Sequence, residues 1–335
     1  MGYHRRPQPY DGGSLVEYVG LGDTGQLVSR VGYGCAAIDG YDYGTVDDRD
    51  SENAIRTALE LGITFFDTAD VYGLGHAERV LSRALGSRRH GVFVSTKFGV
   101  AWDERGGTWR DTSPARASVA LHESLRRLRL ECIPLYQIHW PDGTTPISDT
   151  LAALLRHQQE GKIGAIGICN VGSHVLEEAL TSCRIQSLQV PFSLLERDEE
   201  GEIEQCRSRF GISVVTYNSL AQGLLTGKYG RSSTFSGTDV RRRSQLFTSD
   251  ARERGLRIVE RLQIVGRRHG RTPAQVALRW ILEHRTVSVA LTGAKTVSQI
   301  TENAGGSDWS LPPEDVAFLQ APLSIPCRAA LADSS

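Results

Sequence analysis

A closed (β/α)8 barrel of the TIM type is the fold this sequence predicts, and three observations carry it. Strand-like runs fall near residues 31–37, 64–69, 92–98, 133–140, 165–170, 187–193, 213–219 and 287–293. Segments of helical period lie between most of them, and this even alternation favours a parallel sheet closed into a barrel over an open doubly wound one. The open dinucleotide fold also lacks its signature, because Val31-Gly32-Tyr33-Gly34-Cys35 is too short to be a GxGxxG turn before a helix. No stretch rich in Pro, Gly or Ser divides the chain. The expectation is therefore a loosely packed lead over residues 1–13 and one barrel domain over 14–335, with an N-terminal hairpin and extra helices.

The hairpin comes first. Two short apolar runs within Val16–Val28 flank Gly22-Asp23-Thr24-Gly25, a turn signal. Asp50-Ser51-Glu52 is expected to open the first helix, whose apolar positions Ala54, Ile55, Ala58 and Leu59 recur at spacings of three and four. Thr112-Ser113-Pro114 opens another that runs through Leu121, Leu125 and Leu128. Thr272-Pro273-Ala274 does the same for Ala277, Leu278 and Ile281, with proline in the first turn where its missing N–H costs nothing. Two connections are unusually long, Gly99 to Thr112 and Tyr229 to Ser249. On a barrel such loops serve as lids or specificity walls.

Composition narrows the function classes. With 335 residues, 40% hydrophobic and 23% charged, the chain is of ordinary globular type and long enough for a barrel. A net charge of -1 and the absence of a basic stripe or recognition motif argue against a nucleic-acid partner. No apolar run approaches the roughly 20 residues that span a bilayer, and residues 1–13 lack the apolar core of a signal peptide. The six cysteines show no paired spacing, which fits buried thiols of a cytoplasmic protein. His4, His76, His90, His122, His157, His174, His269 and His284 have no ligand spacing, so no metal is expected. Lysine occurs only at Lys97, Lys162, Lys228 and Lys295 in a chain otherwise rich in arginine. A lysine kept where arginine would serve as surface charge is a candidate for a specific role.

The chemistry is concentrated at strand ends. Thr64-Phe65-Phe66 runs into Asp67-Thr68-Ala69-Asp70 and then Val71-Tyr72-Gly73. Val92-Phe93-Val94-Ser95-Thr96 ends in Lys97, and Leu135-Tyr136-Gln137-Ile138 ends in His139 and Trp140. In a parallel barrel the C-terminal strand ends share one face, so Asp67, Tyr72, Lys97 and His139 would converge there as a proton-transfer set. Taken alone, Asp67 and Lys97 fit a structural ion pair equally well, and a single histidine is more often a satisfied core residue.

In this order and spacing, Asp67-Thr68-Ala69, Tyr72-Gly73, Thr96-Lys97 and Leu135-Tyr136-Gln137-Ile138-His139 resemble the aldo-keto reductase superfamily, with a match from about residue 16 to about residue 305. The resemblance implies a (β/α)8 barrel that uses NADPH/NADP+ to reduce an aldehyde or ketone to an alcohol. Tyr72 would donate the proton. An unperturbed tyrosine, with a pKa near 10, is a poor acid at neutrality, so Lys97 would lower it and Asp67 would hold Lys97 charged. His139 would orient the carbonyl oxygen.

The resemblance also implies cofactor contacts. Cys169, Asn170 and Gln189 would lie at the nicotinamide carboxamide and Tyr217 would stack on its ring. Leu220, Gly223 and Leu225 belong to the loop over the pyrophosphate, and Gly293, Lys295, Gln299, Glu302 and Asn303 to the adenosine segment. A cation at Lys295 suits the extra phosphate of NADPH. Trp102, Trp109 and Trp140 would line the substrate pocket. Cys169, Asn218-Ser219, Phe192 and Pro134 depart from the serine, Ser-Pro, tyrosine and aspartate common in the family.

For the substrate, the chain resembles ketoreductases of bacterial secondary metabolism, some of which act on nucleotide-linked deoxysugars. Arg241-Arg242-Arg243 would then meet phosphate, although a solvated run is the simpler reading. A nicotinamide-binding regulatory subunit resembling the potassium-channel β subunits is the alternative. A homo-oligomer is left open.

Overall fold

In the computed structural model, which describes residues 16–40, 42–235 and 237–323, an antiparallel hairpin of β1 (Tyr18–Gly20) and β2 (Leu27–Ser29) comes first. The lead expected over 1–13 and Cys327 lie outside the described residues. The units that follow are β3 (Val31–Gly34), α1 (Asp48–Glu60), β4 (Phe65–Asp67), α2 (His76–Leu85) and β5 (Phe93–Phe98). A second hairpin, β6 (Val100–Trp102) and β7 (Thr108–Arg110), precedes α3 (Pro114–Leu128), β8 (Ile133–Ile138), α4 (Ile147–Gln159), β9 (Ile163–Cys169) and α5 (Ser173–Ser182). The chain ends with β10 (Ser187–Pro191), α6 (Glu200–Phe210), β11 (Ser213–Tyr217), α7 (Ser249–His269), α8 (Pro273–Glu283), β12 (Val287–Gly293), α9 (Val297–Ala304) and α10 (Pro313–Gln320).

Strands β3, β4, β5, β8, β9, β10, β11 and β12 close in that order into a parallel barrel, so each expected strand run contributes one stave. The first stave is shorter than expected, because Cys35–Ile38 turns as a 3-10 helix. Helix α1 starts two residues before the expected Asp50. Asp47 lies upstream in extended backbone and its carboxylate accepts from Arg49 N at 2.7 Å, which satisfies a free N–H of the first turn. Ser113 caps α3 as read, and α8 begins with a full capping box between Thr272 and Gln275.

The strand period of two explains the barrel interior. Phe65, Phe93, Leu135, Ala165, Val215 and Val289 form an inner apolar cluster with Leu21 and Val28 of the first hairpin. That hairpin sits at the strand starts, where Gly22 N donates to Ser213 Oγ at 2.7 Å and Ser29 N to Thr64 Oγ1 at 3.0 Å. Two residues further along four of the staves the inward positions turn polar, with Asp67 after Phe65, Ser95 after Phe93, Gln137 after Leu135 and Tyr217 after Val215. The barrel is therefore an apolar plug below and a polar floor above. No helix among the described residues is long and apolar enough to cross a membrane.

Candidate active site

The polar floor is tied together by hydrogen bonds. Gln137 donates to Ser95 Oγ at 2.8 Å and accepts from Ser187 Oγ at 3.1 Å. Gly167 makes room for this, since a Cβ there would lie 2.3 Å from Ser187 Oγ and 2.9 Å from Gln137 Oε1. Asp67 Oδ2 accepts from Gln189 Nε2 at 3.0 Å and more weakly from Gln137 Nε2 at 3.5 Å. Its other oxygen is left for Lys97.

Lys97 is fully buried, and its Nζ donates to Asp67 Oδ1 at 2.5 Å and Thr68 O at 2.8 Å and reaches Tyr72 Oη at 3.5 Å. Burial opposes its charge, but Asp67 and then Tyr72 more than offset that, and the pKa rises above the ordinary lysine value. Lys97 is an ammonium. Tyr72 comes from the loop after β4, which folds down because Gly73 adopts φ 55° and leaves Asp39 O where a Cβ would lie at 2.3 Å.

Burial raises the Tyr72 pKa, and the opposing pull of Lys97 does not cancel it. The lowering expected from Lys97 is present as a component, but desolvation of the phenolate outweighs it. His139 meets the Tyr72 ring edge-on at 5.8 Å, and burial followed by the charge of Lys97 drives its pKa well below the usual histidine value. A neutral phenol and a neutral imidazole thus stand beside a fixed ammonium.

Asp67 and Tyr72 also form one end of a cavity of about 570 Å³. Gln189, Tyr217, Leu220, Gly223, Gly293, Lys295, Gln299, Glu302 and Asn303 are on its walls. Cys169, Asn170 and Leu225 are not among its lining residues. Leu225 is buried in the hydrophobic core and Cys169 faces the barrel interior near Lys97 and Tyr72, while Asn170 donates to His139 O at 3.0 Å and accepts from Tyr217 Oη at 2.8 Å. Asn170 thereby braces two site residues from behind.

The family follows from the match over this whole frame. The aldo/keto reductase family model covers residues 30–322. This chain is an aldo/keto reductase. It is 33% identical to the aldo-keto reductase YhdN of Bacillus subtilis over 303 residues, 90% of this chain and 91% of that one. A Schizosaccharomyces pombe aldo-keto reductase whose name specifies NADP(+) is 32% identical over 285 residues, 83% of each chain. Among solved structures, a glycerol dehydrogenase from Gluconobacter oxydans matches with a TM-score of 0.83 and 32% identity, over 93% of this chain and 99% of that chain. The holo form of a Bacillus halodurans aldo-keto reductase matches at 0.76 and 28%, over 91% and 95%.

As an aldo/keto reductase the protein is an oxidoreductase using NADP(H), and the cavity walls of this reductase suit that cofactor. Asn218, Ala221, Gln222 and Gly223 all have positive φ, which coils the loop after β11 tightly around the cavity. Gln222 Oε1 there is buried with no hydrogen-bond partner among the described residues. Lys228 and Lys295 both bring cations to the cavity lining. Lys295 Nζ donates to Tyr43 O at 2.5 Å, and its N–H donates to Gln299 Oε1 at 2.8 Å.

The arginine run splits. Arg241 is half-buried on the cavity wall and forks onto Asp239 through Nε at 2.8 Å and Nη2 at 2.5 Å, while Arg242 and Arg243 are exposed. Asp42, Tyr43 and Gln222 also line the cavity and carried no sequence signal. Gln137 stands in the quoted motif, but its role in holding Asp67 emerges only from strand register. The tryptophans part company too. Trp140 stacks against His139 at 6.3 Å, Trp102 packs under Arg116, and Trp109 is 51% exposed on the β6–β7 hairpin.

Proposed function

We propose that this reductase converts an aldehyde or ketone to an alcohol with Tyr72 as proton donor, Lys97 as its electrostatic partner, Asp67 as the anchor of Lys97 and His139 as the neutral group that orients the carbonyl oxygen. The observation that carries the reading is the buried ammonium of Lys97, fixed by Asp67 at 2.5 Å and placed 3.5 Å from Tyr72 Oη at the cavity wall. When bound, NADPH supplies the hydride. Tyr72 remains a phenol through the neutral range, so its proton is available. The phenolate left behind would be stabilised by Lys97, whose own charge is secured by Asp67. Among the described residues His139 Nδ1 has no hydrogen-bond partner, and as a neutral ring it can offer a hydrogen bond without surrendering a proton that must be recovered.

The substrate is less constrained. A nucleotide-linked keto-sugar would need free arginines at 241–243, and Arg241 is committed to Asp239 and to Tyr229 Oη at 2.5 Å. That reading therefore draws no support from Arg241, and a broader carbonyl substrate fits equally.

The test is loss of NADPH absorbance with a panel of aldehydes, ketones and keto-sugar nucleotides, with Tyr72→Phe alongside. Removing the general acid should lower kcat by about 10²- to 10⁴-fold while NADPH still binds. Tight NADPH binding with no reduction of any carbonyl would overturn the reading in favour of a nicotinamide-binding regulatory subunit.

A further inference from the structure

Two arginine–tryptophan stacks hold the β6–β7 hairpin beside the catalytic groups, and they differ in one respect. Arg116 lies over Trp102 at 4.9 Å, and its Nη2 donates to the buried Asp70 Oδ2 at 3.0 Å. Arg110 lies over Trp140 at 4.7 Å, is exposed, and pairs with no carboxylate among the described residues. Nearby acids are engaged elsewhere. Asp111 accepts from Ser113 N at 3.0 Å, and Asp142 accepts from Thr112 N at 2.9 Å and Thr145 N at 2.7 Å.

The position of Arg110 relative to the chemistry is fixed by a row of rings. Tyr72 meets His139 at 5.8 Å, His139 stacks on Trp140 at 6.3 Å, and Trp140 carries Arg110 at 4.7 Å. The hairpin base locks onto the same segment. Asp111 N donates to Gly99 O at 3.1 Å, His139 N donates to Phe98 O at 2.7 Å, and a Cβ on Gly99 would lie 3.2 Å from Trp140 O. Among the described residues no side-chain hydrogen bond or ion pair engages the Arg110 guanidinium, so its N–H groups are available to meet carboxylate or phosphate in bidentate fashion.

We propose that Arg110 is a specificity-determining residue that receives the anionic group of a carbonyl substrate, one bearing a carboxylate or phosphate at the end remote from the carbonyl. The proposal rests on the reductase reading above. Trp140, in contact with both His139 and Arg110, would pack against the body of the substrate. Because Arg110 is exposed, the interaction weakens as salt is raised.

The experiment compares kcat/KM for 4-formylbenzoate, its neutral methyl ester and 4-formylphenyl phosphate, with NADPH, in wild type, Arg110→Gln and Arg110→Lys. Wild type should favour an anionic aldehyde over the ester. Arg110→Gln should lose about tenfold on the anions, chiefly through KM, and stay within about twofold on the ester, the size expected of a charge-assisted bidentate contact. Arg110→Lys should recover part of the loss, and the ratio of the carboxylate to the phosphate arm identifies the anion. Equal turnover of anion and ester by wild type overturns the proposal, as does an equal loss on all three in Arg110→Gln, which would mark Arg110 as packing for Trp140. Turnover of the ester by wild type keeps the reductase reading intact in both of those cases, and no turnover on any substrate overturns both readings.

Discussion

Asp70 shows how much a single buried carboxylate sets. It lies just beyond the end of β4, and its Oδ2 meets Arg116 at 3.0 Å. Burial, reinforced by the charge of Glu78, pushes its pKa from 3.8 to about 8 despite Arg116 and Arg127. Arg127 is largely spent on Glu78, which it meets at 2.5 Å. A carboxyl whose folded pKa exceeds its unfolded one binds more protons in the native state, so it costs stability as pH rises through the interval from about 4 to about 8. Relative to Asp70→Asn, wild type should lose melting temperature steadily across that interval, and a constant difference in pH-dependent thermal melts would show that Asp70 does not titrate there. Sequence offered no hint of this, because Asp70 reads as one more polar residue in a strand-end run. Lysine scarcity did better. Lys97, Lys228 and Lys295 all converge on the site, and Lys162 alone pairs with surface groups.

Elements were legible where local chemistry decides them. Alternation and capping residues placed the staves and the starts of α3 and α8, since proline, threonine and serine act within a few residues of where they stand. The β6–β7 hairpin was read as a plain loop because its strands are only three residues each, and its pairing is held by contacts to Trp140 and Arg116 that lie far away in sequence. The polar floor was hidden for the same reason, as Gln137, Ser187 and Gly167 become neighbours only through the registers of β8, β9 and β10. Gly167→Ala tests that register. The added methyl would meet Ser187 Oγ and Gln137 Oε1, so unfolding stability should fall by about 1–3 kcal/mol, as overpacking does. Because Gln137 also leans on Asp67, kcat should fall with it. Unchanged denaturant midpoint and unchanged kcat would show that the floor has slack.

At the scale of the molecule, the cavity joins distant parts of the chain. Tyr43 and Asp42 stand on one wall, and Lys228, Arg241 and Lys295 come from segments nearly two hundred residues or more away. Across the opening, Val240 N donates to Asp42 O at 2.7 Å and Lys295 Nζ to Tyr43 O at 2.5 Å. A ligand contacting all of these stabilises the closed barrel by mass action, about 2.7 kcal/mol at a hundredfold excess over Kd. NADPH should therefore raise the melting temperature by several degrees, at roughly 2–4 °C per kcal/mol for a large domain. NADH at the same concentration should raise it less, since the extra phosphate dianion of NADPH is the group that wants a lysine. Burial, with Arg241 nearby, lowers the Lys295 pKa, so an arriving phosphate would restore what that ammonium loses by desolvation. Lys295→Met should consequently narrow the gap between the two cofactors in a thermal-shift titration while leaving the NADH response nearly unchanged. Equal shifts for NADPH and NADH in wild type would place the 2′-phosphate away from Lys295.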